Sequence, residues 1–201
     1  LQWLRLGTRL SALPAALLIY GKKTQDKLAT LLYNQLVVIM EVSIMRTIKI
    51  GLLGLGNIGT GTYKTLEMNR EEVESTLGAK VEIVKILEKD TERDRGIKVD
   101  KNKFTMDPDD IFKDPDIDIV IELLGGIEPA TSFMLSAMRN GKHVVTANKA
   151  ALAANYNELT KTADENNVML KFEASVGGGI PILGTLTGPL RANKFEEVMG
   201  I

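Results

Sequence analysis

The clearest chemical pattern in the chain is the glycine-rich segment Gly54-Leu55-Gly56-Asn57-Ile58-Gly59. It follows an apolar run and opens an amphipathic stretch, the context in which this spacing binds a dinucleotide. The first glycine permits a tight turn, the second lets a pyrophosphate approach the backbone, and the third lets a helix pack closely on a strand. Free N–H groups at the helix N-terminus then face the phosphates. A glycine-rich turn without a ligand is the alternative.

Two charged residues, Glu88 and Lys89, follow the second apolar run, Val81 to Leu87. In dinucleotide-binding proteins an acid at this place holds the ribose 2′-OH of NAD, whereas a cation accepts the 2′-phosphate of NADP. Both types are present here, so the sequence leaves the choice between NAD and NADP open. Seven of the eight residues from 88 to 95 are charged, and a solvated loop is therefore the alternative for each of them.

Two later apolar runs also end in residues that could meet a ligand. Leu124 and Gly125 end one run, where glycine lets a nicotinamide ribose approach the backbone or simply terminates the strand. Thr146 ends the next run and Lys149 follows it, so this lysine either presents a cation or proton to an aldehyde or carboxylate substrate or faces solvent. These places share the carboxyl edge of a parallel sheet, where ligands of open α/β folds bind.

Three further polar residues allow a functional and a structural interpretation. Glu122, inside a strand run, is either a site carboxylate or a structurally paired group. The single histidine, His143, precedes its strand and is interpreted as structural. Glu173 stands before an irregular turn at Gly177 to Gly179, and a carboxylate with backbone carbonyls suits a hard cation. A flexible hinge between two domains is the alternative there.

The elements that must position these residues follow from apolar runs that alternate with amphipathic stretches, an order typical of βαβ units around a parallel sheet. Six strands are predicted: Ile48 to Leu53, Val81 to Leu87, a short one at Phe104, Ile117 to Leu124, Val144 to Thr146 and Val168 to Phe172. The run from Ile117 is almost entirely apolar, as expected for a central strand buried on both faces.

Helices are predicted between these strands. The first runs from about Asn57 to the region of Glu72, and another begins at Pro129 and is closed by Gly141. Tyr156, Leu159 and Ala163 share one face of a third. A helix led by Pro181 and a strand from Phe195 to Ile201 are expected to begin a second domain.

The composition excludes several function classes. The 201 residues carry 25 Lys plus Arg and 26 Asp plus Glu, for a formal net charge of -1, so no nucleic-acid-binding surface is expected. The absence of cysteine and the single histidine exclude thiol nucleophiles, iron–sulfur clusters and the usual zinc ligand sets. The lack of cysteine also fits a reducing compartment, and a cytoplasmic location is expected.

Residues 1 to 44 form a leader of unknown status. Their apolar stretches, Leu10 to Tyr20 and Leu31 to Met40, are shorter than the roughly 18 residues needed to span a bilayer, so no membrane association is expected. A targeting peptide is one interpretation. We favour the other, a leader outside the fold ahead of a start at Met45.

Five motifs in this order make the chain resemble the homoserine dehydrogenase family: GLGNIGTG, IELLGGIEPA, GKHVVTANKAALA, FEASVGGGIPIL and VMGI. The resemblance covers residues 45 to 201 and is far more specific than the glycine pattern alone. It implies a Rossmann-type doubly wound parallel sheet in residues 45 to 175. It further implies that residues 176 to 201 begin an α+β catalytic and dimerisation domain.

The resemblance implies reversible, NADP- or NAD-dependent conversion of L-aspartate 4-semialdehyde to L-homoserine, on the route to threonine, methionine and isoleucine. The glycine loop with Asn57 and Ile58 would hold pyrophosphate, Leu124 and Gly125 would line the nicotinamide, and Thr146 and Lys149 would lie at the cofactor–substrate junction. Lys89 would take the place of a family cation, while Glu88 leaves NAD use open. A monovalent cation, usually sodium, would be bound by a set of four residues: Glu173, Val176, Gly178 and Ile180.

The resemblance also implies that the substrate-binding acids and a second, proton-donating lysine belong to the later catalytic sheet, which builds a homodimer. The 201-residue chain is therefore expected to hold a dinucleotide without turning over substrate. Two alternatives stay open. One is another two-domain NAD(P)-dependent dehydrogenase of amino acids or semialdehydes, and the other is a non-catalytic nucleotide-binding module.

Overall fold

The computed structural model describes residues 46–199, so the hypotheses for residues 1 to 44 lie outside the described part of the chain. Six strands form one sheet: β1 Thr47–Leu53, β2 Lys80–Leu87, β3 Phe104–Thr105, β4 Ile119–Glu122, β5 His143–Thr146 and β6 Leu170–Lys171. Their order is β3-β2-β1-β4-β5-β6, and all neighbours are parallel. This is the order of a doubly wound dinucleotide-binding fold. The predicted fold class and the six predicted strands are confirmed.

The described region contains six α-helices, and the first five pack on the two faces of this sheet. Their bounds are α1 Asn57–Met68, α2 Arg70–Leu77, α3 Asp109–Phe112, α4 Ala130–Arg139, α5 Lys149–Glu165 and α6 Leu183–Thr187. Leu55 and Tyr63 of the α1 region pack with β1 and β2 in one apolar cluster, against which Val73 of α2 also packs. The other cluster joins the sheet to α3, α4 and α5. The two clusters bury the sheet from both sides, as parallel sheets require.

The central strand β4 is shorter than its apolar run and is fully buried on one face only: Val120 and Glu122 are buried, whereas Ile119 and Ile121 on the other face are partly buried. Its ladder to β1 ends with the N–H of Leu123, which donates to the carbonyl of Leu53 at 2.9 Å. Gly125 and Gly126 then adopt φ of 79° and 74°. Since this left-handed region is open to glycine and unfavourable for most other residues, these two positions turn the chain away from the sheet.

The predicted helix from Asn57 to Glu72 is two helices rather than one. Asn69 has φ -110° and ψ 20°, and its side-chain amide donates to the carbonyl of Thr65 at 3.0 Å. An asparagine that bonds to the preceding turn in this way competes with the helical backbone. The first helix therefore ends at Met68 and a second begins at Arg70.

Only part of the face predicted for helix α5 is buried. Leu159 and Ala163 are buried, whereas Tyr156 is half exposed and packs edge-on against Phe172. A kink at Asn155, where φ is -132°, separates the first turns from the rest.

The strand predicted from Phe195 to Ile201 does not form over its described residues, 195–199. A strand requires a neighbour to pair with its backbone N–H and C=O groups, and no strand of the described region lies alongside this segment. Residues 200 and 201 lie outside the described part.

Candidate dinucleotide-binding site

Strand register brings the predicted site residues to one edge of the sheet. Leu53 of β1 lies opposite Glu122 of β4, and Glu122 lies opposite Thr146 of β5. On the other side of β1, Leu53 lies opposite Leu87. The segments that follow these four residues therefore all leave the carboxyl edge, and β1 and β4 enclose the point where the strand order reverses.

Glycine stands at three positions of the loop after β1, for a different reason at each. Gly54 has φ 92°, and its N–H donates to the carbonyl of Leu87 at 2.9 Å. A Cβ at Gly59 would lie 2.1 Å from the carbonyl oxygen of Gly54, so helix and strand can meet only with glycine there. A Cβ at Gly56 would meet no atom within 4 Å, and its φ of -71° suits any residue. The protein's own packing therefore gives no reason for a glycine at 56, whereas close approach of a phosphate does.

The N-terminus of α1 is open to an anion. Gly56 is its N-cap, no side chain caps the free N–H groups, and the first turn contains no acid. Asn57 and Ile58 are exposed. Unpaired N–H groups and the positive end of the helix dipole favour a phosphate here. A cavity of about 330 Å³ adjoins this helix end and extends to the loop after β2; its lining residues are Leu55, Gly56, Asn57, Thr60, Arg93, Asp94 and Arg95.

Glu88 lies beside the glycine loop rather than in a solvated loop. Its Oε2 accepts the N–H of Leu55 at 2.9 Å, and its Oε1 accepts the N–H groups of Lys89 and Asp90 at 2.8 and 3.1 Å. Burial alone raises the pKa of this carboxyl, but the three N–H donors and the nearby Arg95 guanidinium outweigh burial, so the net pKa lies below its ordinary value. The side chain of Lys89 is exposed.

Arg95 is the site residue that sequence reasoning missed. It stands last in a run of charged residues, which is typical of a solvated loop, yet its side chain is only 6% exposed. Its Nε donates to the carbonyl of Leu55 at 2.7 Å. No local pattern distinguishes it from Arg93, which is exposed, because its burial depends on contacts between distant segments.

Glu122 joins two of the predicted site segments. It is fully buried; one carboxylate oxygen accepts the N–H of Leu124 at 2.8 Å and the other accepts the hydroxyl of Thr146 at 2.6 Å. The Thr146 hydroxyl in turn accepts the N–H of Asn148 at 3.0 Å. Of the two interpretations of Glu122, the structure favours the structural one, although its partners are a backbone N–H and a hydroxyl rather than a cation.

Lys149 begins α5, and the preceding Asn148 caps this helix by accepting the N–H of Ala151 at 3.1 Å. The side-chain amide of Asn148 also donates to the carbonyl of Gly126 at 2.7 Å, which ties the segment after β5 to the segment after β4. Lys149 is exposed and forms no ion pair within residues 46–199. A cation in the first turn of a helix opposes the helix dipole, so the helix itself does not favour a lysine at this position.

The predicted cation-binding segment follows β6. The carboxylate of Glu173 accepts the N–H groups of Leu183 and Gly184 at 2.8 and 2.7 Å and so caps α6. Val176, Gly178 and Ile180 lie in the exposed turn between them. Among the described residues no three acidic or histidine side chains cluster as metal ligands, so a cation in this segment would rely on Glu173 and backbone carbonyls.

His143 has the structural position predicted for it. It lies at the amino end of β5, away from the site, and its Nδ1 accepts the N–H of Met169 at 3.0 Å.

A bilayer-spanning helix is not found within residues 46–199, where every helix is too short or too polar.

A parallel sheet in this order, with an open glycine loop at its switch point, defines the described region as a dinucleotide-binding α/β domain of the Rossmann type. Residues 54–173 match the family model described as "Homoserine dehydrogenase, NAD binding domain". The chain therefore belongs to the homoserine dehydrogenase family through this NAD-binding domain.

Similar proteins agree with this assignment. Homoserine dehydrogenase of Bacillus subtilis is 42% identical over 157 residues, and that of Neisseria gonorrhoeae is 41% identical over 157 residues. The alignment covers 78% of this chain but 36% of each relative, so the chain spans about a third of their length. The crystal structure of a homoserine dehydrogenase from Thiobacillus denitrificans superposes with a TM-score of 0.69 at 42% identity, covering 74% of this chain and 34% of that one.

Proposed function

We propose that this chain is the dinucleotide-binding part of an enzyme that interconverts L-aspartate 4-semialdehyde and L-homoserine, using NADP or NAD. The single observation that supports it most is the open glycine loop at the switch point of a sheet whose sequence matches the homoserine dehydrogenase family over residues 54–173. When bound, the nicotinamide would supply or accept the hydride. The residues of this chain bind and orient the reactants.

The roles proposed for these residues follow their places on the sheet edge. The N–H groups of Asn57 and Ile58 belong to the first turn of α1, which no side chain caps, and would bind the pyrophosphate. Leu124 and Gly125, exposed at the end of β4, would line the nicotinamide. Lys149 would hold the substrate at the cofactor–substrate junction, since it is exposed and begins α5 three residues after the buried Thr146 that ends β5.

This role of Lys149 is tested in the complete gene product that contains the chain. Lys149→Ala is expected to lower kcat/KM for L-homoserine oxidation by a factor of about 10² or more, as loss of a positioned proton-transfer or binding group does. Lys161→Ala is the matched control, because Lys161 lies on the same helix and pairs only with Glu165 at its surface. Unchanged kcat/KM in Lys149→Ala would contradict the role. Oxidation of another amino-acid alcohol, but not homoserine, would support the alternative dehydrogenase.

The proposal includes a sodium ion held by Glu173, Val176, Gly178 and Ile180. Carboxylate and carbonyl oxygens suit such an ion, and each Glu173 oxygen that caps α6 keeps a further lone pair. If sodium binds only the folded chain, replacing it by choline at equal ionic strength lowers the unfolding midpoint. This sodium effect should vanish in Glu173→Ala and persist in Glu165→Ala. Equal midpoints of the unsubstituted chain in the two salts would contradict the site.

The proposal extends to the assembly and its location. A family member of this kind would act as a homodimer in the cytoplasm, and the absence of cysteine from the sequence is compatible with a reducing compartment. Light scattering of the complete gene product tests the homodimer. Fractionation of cells that express it tests the cytoplasmic location.

A further inference from the structure

The loop after β2 is anchored to the glycine loop by a buried arginine. Besides its bond to Leu55, the Arg95 guanidinium donates to the carbonyls of Arg93 and Asp90 at 3.0 and 2.7 Å. One of its nitrogens also lies 3.3 Å from Oε2 of Glu88. A cation with so little exposure is costly unless it is paired, and here each of the three guanidinium nitrogens has a partner. The guanidinium therefore holds its own loop and the glycine loop together.

Both polar groups of the Leu55 backbone are held by this pair. The N–H donates to Glu88 and the carbonyl accepts from Arg95, while the hydroxyl of Thr60 adds a longer bond of 3.2 Å to the same carbonyl. Leu55 directly precedes Gly56, the residue beside which a phosphate has room. Because these bonds hold the peptide groups on either side of Leu55, they also fix the backbone that leads into the N-terminus of α1.

The carboxylate of Glu88 has little capacity left for a ribose. An ionised carboxylate has about four lone-pair sites. The N–H groups of Leu55, Lys89 and Asp90 use three of them, and the Arg95 guanidinium faces the fourth. A ribose hydroxyl would have to displace one of these donors.

We propose that Glu88 and Arg95 are positioning residues that fix the glycine loop for either dinucleotide, and that Glu88 is not the acid that selects NAD. This inference rests on the proposed dinucleotide binding. It differs from the expectation for an acid at the end of β2, which would favour NAD through the ribose 2′-OH. The two roles predict different effects on selectivity.

Selectivity is measured by titrating the 201-residue chain with NADH and NADPH and following nicotinamide fluorescence. Glu88→Gln and Arg95→Met should each lower the affinity for both dinucleotides by about tenfold, the order that loss of one charge-assisted hydrogen bond implies. The ratio of the NADH affinity to the NADPH affinity should stay unchanged. In the double variant the losses should not add, because the two residues act as one unit. Glu92→Gln is the control: Glu92 lies in the same loop, is 78% exposed and pairs only with Lys101.

Two results would overturn the inference. One is that Glu88→Gln loses affinity for NADH but keeps its affinity for NADPH, because Glu88 would then be the acid that selects NAD through its ribose. The other is unchanged affinity for both dinucleotides. If Arg95→Met fails to fold, the near-isosteric Glu88→Gln still decides the question.

A readout without ligand separates this inference from the proposed function. In the ligand-free chain the amide of Leu55, which donates to Glu88, should exchange its hydrogen faster in Glu88→Gln and Arg95→Met than in Glu92→Gln. Unchanged exchange would contradict the positioning role. Faster exchange in a chain that binds neither dinucleotide would retain the pair as a loop anchor and reject the proposed function.

Discussion

At the scale of single residues, Glu122 shows how one buried carboxylate can set the spacing of two site segments. Its two oxygens hold the backbone of Leu124 and the side chain of Thr146, which leave neighbouring strands. A carboxylate buried without a cation depends on such donors. Both interactions lie at the places where a nicotinamide and a substrate are proposed to meet.

Thr146→Val should therefore destabilise the chain although it keeps the side-chain shape. It leaves one oxygen of Glu122 and the N–H of Asn148 without their partner, and a buried unpaired polar group costs about 1–3 kcal/mol. Thr160→Val is the matched control, since its hydroxyl bonds only to its own helix at the surface. Urea unfolding compares the two; equal midpoints for both variants would contradict the role of the buried network.

The lowered pKa of Glu88 predicts a pH dependence of stability. Because the folded pKa lies below the unfolded value near 4.5, Glu88 stabilises the fold above that pH, and this contribution is lost as the pH falls through the folded pKa. The difference in unfolding free energy between the unsubstituted chain and Glu88→Gln should thus be constant near neutrality and shrink in acid. A difference that grows on acidification would contradict this sign.

At the scale of elements, two glycines of α1 allow a matched test of how the helix meets the sheet. A Cβ at Gly59 would collide with the Gly54 backbone, so Gly59→Ala should cost about 1–3 kcal/mol through overpacking. A Cβ at Gly61 would meet nothing within 4 Å, so Gly61→Ala should stabilise the helix by about 0.5–1 kcal/mol. Urea midpoints that move in the same direction for both variants would contradict the close approach of α1 to β1.

The elements were more predictable than their ends and contacts. Apolar runs and the glycine loop predicted six strands, the sheet class and the site edge, because burial and turn geometry impose local patterns. The break at Asn69 was missed, since one side-chain bond to Thr65 decides it. Arg95 was missed because its burial depends on segments forty positions apart, which no short window contains. The cap that Glu173 provides for α6 is likewise a tertiary contact.

At the scale of the whole molecule, the chain spans about a third of its relatives. Its described fold contains an edge suited to a dinucleotide, whereas the family resemblance implies that the acids and second lysine of catalysis lie on a later sheet. The 201-residue polypeptide should therefore bind NADPH or NADH yet give no L-homoserine oxidation above the buffer rate. Measurable turnover by this polypeptide, abolished by Lys149→Ala, would show that the division between binding and catalysis is wrong.

The most direct test of the central claim is dinucleotide binding by the unsubstituted chain and by Gly56→Ala, each titrated with NADPH and NADH. The added methyl group enters space that the protein leaves open, so the unfolding free energy should change by no more than about 1 kcal/mol, as for an N-cap replacement. The affinity should fall by at least about tenfold, because the methyl group would occupy the place proposed for the pyrophosphate. Saturable binding that Gly56→Ala leaves intact, or no binding by the folded unsubstituted chain, would contradict the account.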